Sequence, residues 1–284
     1  MERSLTRRQW FQNSLAALTY LAGTRTLPGA SNQTATEVVK VVRDGSFKDG
    51  FETDKGWGLF EEIVTPDCYV AGIGEVSRSR VVSQRGDFSL LVHANKQYTS
   101  KSNHLLANKR LANHGRGGRW AYCASAYISP ETADTGQVGP EFSMQNTRLV
   151  GTQFLTTIAG LQYRANPFLS PPEKNSLAIW VEVSLGRAQW LQVANEILQP
   201  ATWYRFCLEA DFDQNRYVQL SLRGGGLDRQ IDLSEHRIAE ETRWSEEAFW
   251  LTLEAQNLWS CQYPGVYEYK VFYDNVRLTN TLIN

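Results

Sequence analysis

The chain has 284 residues, with 29 Lys and Arg against 30 Asp and Glu, a net charge of −1 and a pI near 6.5. That balance excludes the general nucleic-acid binders, whose domains are basic, while the length admits one large all-β unit. Nine Trp, twelve Tyr and twelve Phe against two Met suit strands and surfaces that stack on sugar rings.

At the N-terminus, Thr6-Arg7-Arg8-Gln9-Trp10-Phe11-Gln12 resembles the twin-arginine export signal, Ser/Thr-Arg-Arg-x-Phe-Leu-Lys, with Gln12 in place of the usual Lys. A modestly apolar run from Ser14 to Gly23 follows, then Arg25 and the small-residue stretch Pro28-Gly29-Ala30. A charged region, a short apolar region and a cleavage-like site in that order predict a signal peptide over residues 1–30. The apolar run is too short to span a bilayer, so no integral membrane segment is expected in the mature protein. The expected location is bacterial, periplasmic or extracellular, where disulfides persist. Cys68, Cys123, Cys207 and Cys261 allow three pairings and lack C-x-x-C spacing, so structural roles are expected and a zinc site is not.

Residues 31–36 read as a polar linker, and residues 37–284 as one β-sandwich domain. Glu37 to Arg43 is β-branched and reads as a first strand, closed by Asp44-Gly45. Later segments alternate with the period of two that a half-buried strand requires. They are Arg78–Ser83, Phe88–Ala94, Arg119–Ile128, Glu141–Arg148, Thr156–Arg164, Leu177–Val183, Phe249–Glu254 and Tyr267–Leu278. Between residues 99 and 119 lies a basic stretch, read as a long loop, containing Lys101, His104, Lys109, Arg110, His114, Arg116 and Arg119. One helical candidate, Leu233–Trp244, reads equally well as a surface loop.

The segment Trp203–Gly224 reads as two strands around a polar turn. Tyr204, Phe206, Leu208 and Ala210 alternate with Trp203, Arg205, Cys207 and Glu209; Val218, Leu220 and Leu222 alternate with Tyr217, Gln219, Ser221 and Arg223. A face carrying Trp, Arg, Glu and Gln suits a ligand better than plain solvent does. The fold class expected is all-β, a two-sheet antiparallel β-sandwich.

The runs G-D-F-S-L-L-V, R-W-A-Y-C-A-S-A-Y-I-S-P, T-W-Y-R-F-C-L-E-A-D with its N-R-Y-V-Q-L-S-L return, and Y-K-V-F-Y-D-N-V-R-L resemble the strands of concanavalin A-like jelly rolls. The resemblance covers residues 40–280. It implies the architecture of laminin-G-like modules, legume lectins, and several glycoside hydrolases and polysaccharide lyases, with a concave sheet as the site.

The expected partner is a polysaccharide or oligosaccharide, bound by Trp180, Glu182, Trp203, Arg205, Glu209, Gln219, Arg223, Gln145 and Arg148. An alternative is cleavage on the same face, by β-elimination on an anionic polysaccharide or by hydrolysis; a third reading is a structural envelope module. For a lyase the candidates are Arg164, Arg205, Gln162 and His93, because elimination needs a group to neutralise the uronate and a base to take its α-proton. Glu209-x-Asp211-x-Asp213 imitates a glycosidase motif, but four residues of strand advance roughly 13 Å, too far for a retaining pair. It is expected to be a hairpin turn instead. No cofactor or metal is expected: Asp211-x-Asp213-x-Asn215 lacks the Gly and Glu of a calcium loop, and no motif supports structural calcium at Asp274 and Asn275.

Overall fold

The computed structural model describes residues 47–53, 55–63, 74–94, 103–112, 117–133, 138–165, 174–184, 187–242, 245–257 and 268–281. The expected signal peptide, linker and first strand lie outside them, as do Cys68 and Cys261. The first eight strands are β1 (Phe47–Asp49), β2 (Gly58–Ile63), β3 (Glu75–Ser79), β4 (Ser89–Ala94), β5 (Asn103–Ala112), β6 (Arg119–Ile128), β7 (Val138–Val150) and β8 (Gln153–Arg164). The other eight are β9 (Ser176–Ser184), β10 (Arg187–Asn195), β11 (Trp203–Asp211), β12 (Arg216–Gly224), β13 (Leu227–Asp232), β14 (Ala239–Glu241), β15 (Ala248–Asn257) and β16 (Tyr269–Asn280). Among the described residues there is no helix.

The strands form two antiparallel sheets. Sheet A runs β13-β12-β11-β6-β16-β4-β3, with β1 also on β16; sheet B runs β10-β9-β8-β7-β15-β5-β2, with β14 also on β8. Between them lies one core, to which sheet A sends Tyr122, Phe206, Leu220 and Val271 and sheet B sends Phe142, Leu161, Ile179 and Leu251. Edge-on aromatic packing crosses it, with Tyr122 and Phe142 centroids 5.2 Å apart.

Three expectations need correcting. The basic stretch is not one long loop, since residues 103–112 form β5 and pair with both β15 and β2. The helical candidate is a turn followed by β14, which pairs with β8. Tyr217 faces the core and not the polar side: the β11–β12 register slips between Glu209 and Ala210, so Ala210 faces Tyr217 and Val218 becomes the extra residue. A bulge of this kind reverses the alternation beyond it.

Buried tyrosines of sheet A reach across the core to the backbone of sheet B. The Tyr273 hydroxyl accepts the Glu141 N–H at 3.0 Å and donates to the Glu254 carbonyl. It fills the place where the β7–β8 and β15–β7 registers both slip. Beside it, Tyr269 donates to the Gly139 carbonyl at 2.7 Å. Tyr217 accepts the Gly160 N–H at 3.0 Å and donates to the Trp180 carbonyl at 2.7 Å, and Tyr122 donates to the Thr252 carbonyl at 3.0 Å. A backbone group orphaned at a bulge in a core costs roughly 1–3 kcal/mol if left unpaired, so these hydroxyls let sheet B be irregular where it needs to be.

Burial raises the pKa of Tyr122, Tyr269 and Tyr273 well above 10, and that of Tyr163 from 10 to about 12. An acid raised on folding stabilises the fold fully below its unfolded pKa and loses that contribution as pH rises toward the folded value. Urea unfolding should therefore show stability falling from about pH 10 upward, by up to about 1.4 kcal/mol per pH unit for each tyrosine ionising only in the unfolded chain. A flat profile between pH 9 and pH 11.5 would contradict this assignment.

Cys123 and Cys207 stand directly opposite on β6 and β11 and form a disulfide, with Cα atoms 4.0 Å apart and 84 residues between them in sequence. A cross-link closing so long a loop stabilises by about 4 kcal/mol in the chain-entropy view. Replacing both by Ser should move the urea midpoint down by the equivalent of roughly 2–5 kcal/mol; an unmoved midpoint would show that the bond adds nothing.

Candidate functional site

Strand alternation gives each sheet an outer face, and the residues expected to bind ligand divide between the two. Gln145, Gln162, Arg164, Trp180 and Glu182 belong to the outer face of sheet B. Trp203, Arg205, Glu209, Gln219, Arg223 and His93 belong to the outer face of sheet A. The whole core separates the groups, so they cannot line a single site. Arg148 alternates out of phase with Gln145 and falls on the parity of Met144, at the end of β7.

On sheet A, the Glu209 carboxylate accepts Arg119 Nε at 2.7 Å and Gln219 Nε2 at 2.8 Å. Burial works to raise its pKa, but hydrogen bonds from Arg119, Thr281 and Gln219 outweigh it and hold the group below its ordinary value. Arg223 pairs with Asp228 at 3.1 Å, both largely exposed, a geometry that contributes little. The Asp211 carboxylate accepts the N–H groups of Asp213 and Gln214, making the hairpin turn expected of that motif. His93 Nε2 lies 2.9 Å from Glu268; burial lowers its pKa against the opposing pull of that carboxylate. Asp274 accepts N–H groups from Gln84, Arg85 and Asn275. Among the described residues no group of three or more His, Cys, Asp or Glu is placed to hold a metal ion.

Sheet B presents a different surface. Its outer positions form rows across the strands, set by register. One row holds Glu254 on β15, Glu141 on β7 and Gln162 on β8, each directly opposite the next. The adjoining row holds Thr252, Ser143 and Gly160, and beyond lies Trp250 opposite Gln145. Although these side chains point away from the core, Glu141 is 1% exposed and Glu254 0%, and Ser143, Gln145, Gln162, Thr252 and Gln256 are buried too.

Hydrogen bonds knit this layer together. Glu141 Oε2 accepts Gln162 Nε2 at 2.8 Å and also Gln256 Nε2. Gln162 Oε1 in turn accepts Arg164 Nε at 2.9 Å. Thr252 Oγ1 meets Ser143 Oγ at 2.7 Å and donates to Glu254, and Gln145 Nε2 donates to Ser143 Oγ at 3.1 Å. Every link is charge-assisted or hydroxyl-mediated, which is how buried polar groups recover the solvation they lose.

Two tryptophans, on β9 and β10, lie at one end of the layer. Trp180 is 3% exposed and packs with Ile158 and Ala239 in a small separate cluster, its Nε1 donating to Glu241 at 2.9 Å. It is therefore a wall of the site and offers no open ring face. Trp190, partly buried, meets Trp180 edge-on at 5.2 Å. Gly160 makes room for it: a Cβ there would come within 3.3 Å of the Trp190 indole. Glu182 lies farther along β9, 3.7 Å from Arg237.

Glu141, Glu254, Gln256, Thr252 and Trp190 are not among the site residues expected from the sequence. Alternation after Phe249 would have found Glu254. Its pairing with Glu141, across 113 residues of chain, is a property of the sheet order alone.

No protein-family model matches the chain, and no curated protein sequence matches it. Solved structures do. The endo-beta-1,4-glucuronan lyase of the fungus Trichoderma reesei is 16% identical over 83% of this chain and 95% of its own, with a TM-score of 0.50. A glycoside hydrolase family 16 endo-glucanase from Bacteroides ovatus is 15% identical over 82% and 99%, at 0.49. Peanut lectin is 8% identical over 82% and 97%, at 0.46. At these identities the likeness is one of fold, and the fold of this chain is the concanavalin A-like jelly roll.

Proposed function

We propose that this is an exported protein acting on a polysaccharide laid across the outer face of sheet B, with Glu141 and Glu254 as the paired carboxylates of a glycoside-cleaving site. One observation carries the reading: two buried glutamates stand directly opposite on β7 and β15, on a face turned away from the core. Directly opposed strand residues have Cβ atoms about 4.5–5.5 Å apart, and a retaining pair needs carboxyls about 5–5.5 Å apart. One would protonate the leaving oxygen as the glycosidic bond breaks while the other attacks the anomeric carbon; water, deprotonated by the first, would then release the sugar and free the second carboxylate. Gln162 and Gln256, both donating to Glu141, hold that side chain in a single orientation, and Trp190 supplies an aromatic ring at the edge for a sugar to stack on. Two opposed carboxylates would repel the carboxylates of a polyuronate, which favours a neutral glycan.

A second reading rests on the Arg164–Gln162 link. A guanidinium beside an amide can take a uronate carboxylate and ease removal of the α-proton. The fold shared with the glucuronan lyase is compatible with this alternative.

Purified protein should be incubated with neutral β-glucans and with polyuronates, scoring both reducing ends and the ultraviolet absorbance of unsaturated uronates. Hydrolysis predicts reducing ends alone, and Glu141→Gln or Glu254→Gln should each cost roughly 10²-fold or more in rate at a melting temperature near wild type. An ultraviolet product lost in Gln162→Ala and Arg164→Ala would replace hydrolysis by elimination. Binding without either product would leave a glycan-binding protein, and no binding would remove the sheet B reading.

Export is supported by the Cys123–Cys207 disulfide, which persists in oxidising compartments, together with the Arg7-Arg8 signature. Changing both arginines to Lys should retain the precursor in the cytoplasm; undiminished export would refute the twin-arginine route.

A further inference from the structure

On the outer face of sheet A, Arg205 and Arg277 form no ion pair among the described residues. Arg205 on β11 reaches over β6 and donates from Nη1 to the Asn275 carbonyl on β16 at 3.2 Å. A register slip between Asp274 and Arg277, with Asn275 at a φ of 50°, turns that carbonyl to meet it. Arg277 lies close by; burial first, and the Arg277 charge second, lower the pKa of Arg205.

The acids of this face are already occupied. Glu209 is held by Arg119 and Gln219, and Asp274 by three backbone N–H groups. Between Arg205 and Asp274, in the same row, stands Ser125, whose Oγ is buried without a hydrogen-bond partner among the described residues. The next row continues the surface with aromatic rings: Trp203 lies 5.4 Å from Tyr127, and Tyr127 lies 6.0 Å from Phe272. Trp203 and Tyr127 are half-buried, leaving part of each ring open.

A guanidinium has five N–H donors in a fixed fork, and one bond to a carbonyl leaves most of them unspent. Two such groups side by side repel each other unless an anion bridges them, and carboxylate or sulfate matches the fork bidentately. Aromatic rings beside the cations suit the apolar face of a pyranose. We propose that this face is a second binding surface, for a saccharide polymer bearing carboxylate or sulfate groups. Arg205 and Arg277 would grip the anion while Trp203 and Tyr127 stack on the adjoining ring. It lies on the opposite sheet from the proposed cleavage site, so it would anchor a chain without reacting with it.

The test is a titration of wild-type protein and of Glu141→Gln with dextran sulfate, polygalacturonate, neutral dextran and a single-stranded oligonucleotide. Polyanionic saccharides should bind both proteins, more weakly as salt rises. Arg205→Gln/Arg277→Gln should lose roughly tenfold or more in affinity. Lys174→Gln, which removes one charge from the turn before β9, should leave affinity nearly unchanged. Arg277→Gln alone changes an exposed side chain and should shift binding in the same direction without disturbing the fold. Unchanged affinity in the double variant, an equal loss in Lys174→Gln, or equal binding of the oligonucleotide would overturn the proposal. Because the readout is binding and one background lacks Glu141, failure of cleavage on sheet B would not affect the result.

Discussion

The tyrosine hydroxyls that cross the core are the constraint on which the rest of this sandwich depends. A regular sheet satisfies its own backbone, but β7, β8 and β15 are irregular where the polar layer sits. Tyr273 occupies the slip beside Glu141 and Glu254, and Tyr217 bridges Gly160 and Trp180. The latter pair lies where β8 leaves β9 and takes β14 as its neighbour. Sheet A thus does more than cover the core. Its inward side chains fix the backbone of sheet B at the points from which the site's side chains project.

The same arrangement explains how a layer rich in Glu and Gln can be buried. Each carboxylate taken from water needs several kcal/mol of compensation, and hydrogen-bond chains provide it only when the backbone holds their members in register. Gln256 and Gln162 approach Glu141 from neighbouring strands on either side. A slip of one residue in β8 or β15 would send one of those amides into the core. Tyrosines that pin the irregular ladder therefore also protect the side-chain network, and packing and site geometry become one property.

Much of the fold is legible in the chain. Arg119–Ile128 is predicted and observed with the same bounds, and the inward positions of β6 and β11 follow directly from alternation; on β9 they hold for Leu177, Ile179 and Val181, whereas Val183 keeps the parity but is exposed beyond the core. The basic stretch hid β5 because Lys109 stands on the inward side, opposite Leu251; its Nζ escapes by donating to the Lys55 carbonyl. A charged residue at an inward position defeats a pattern that reads charge as outward. Tyr217 departs from the pattern for another reason, since a bulge changes parity and leaves no mark in composition. The site was harder still. Outward residues were recognised strand by strand, but which sheet each strand joins depends on long-range pairing. Alternation makes Trp203 and Gln145 alike outward, and in the folded protein they lie on opposite sides.

That separation assigns different chemistry to the two faces. On sheet B, opposed carboxylates with amide partners have the character of groups that exchange protons or attack carbon, and their burial keeps competing water out. On sheet A, the acids nearest the arginines are already engaged: Glu209 by Arg119 and Gln219, Asp274 by backbone N–H groups; and Arg205 does not lose its proton in a protein. A surface of that kind is suited to holding an anion. The proposed recognition and reaction would thus be divided between two sheets that share a core, joined by the tyrosines that cross it.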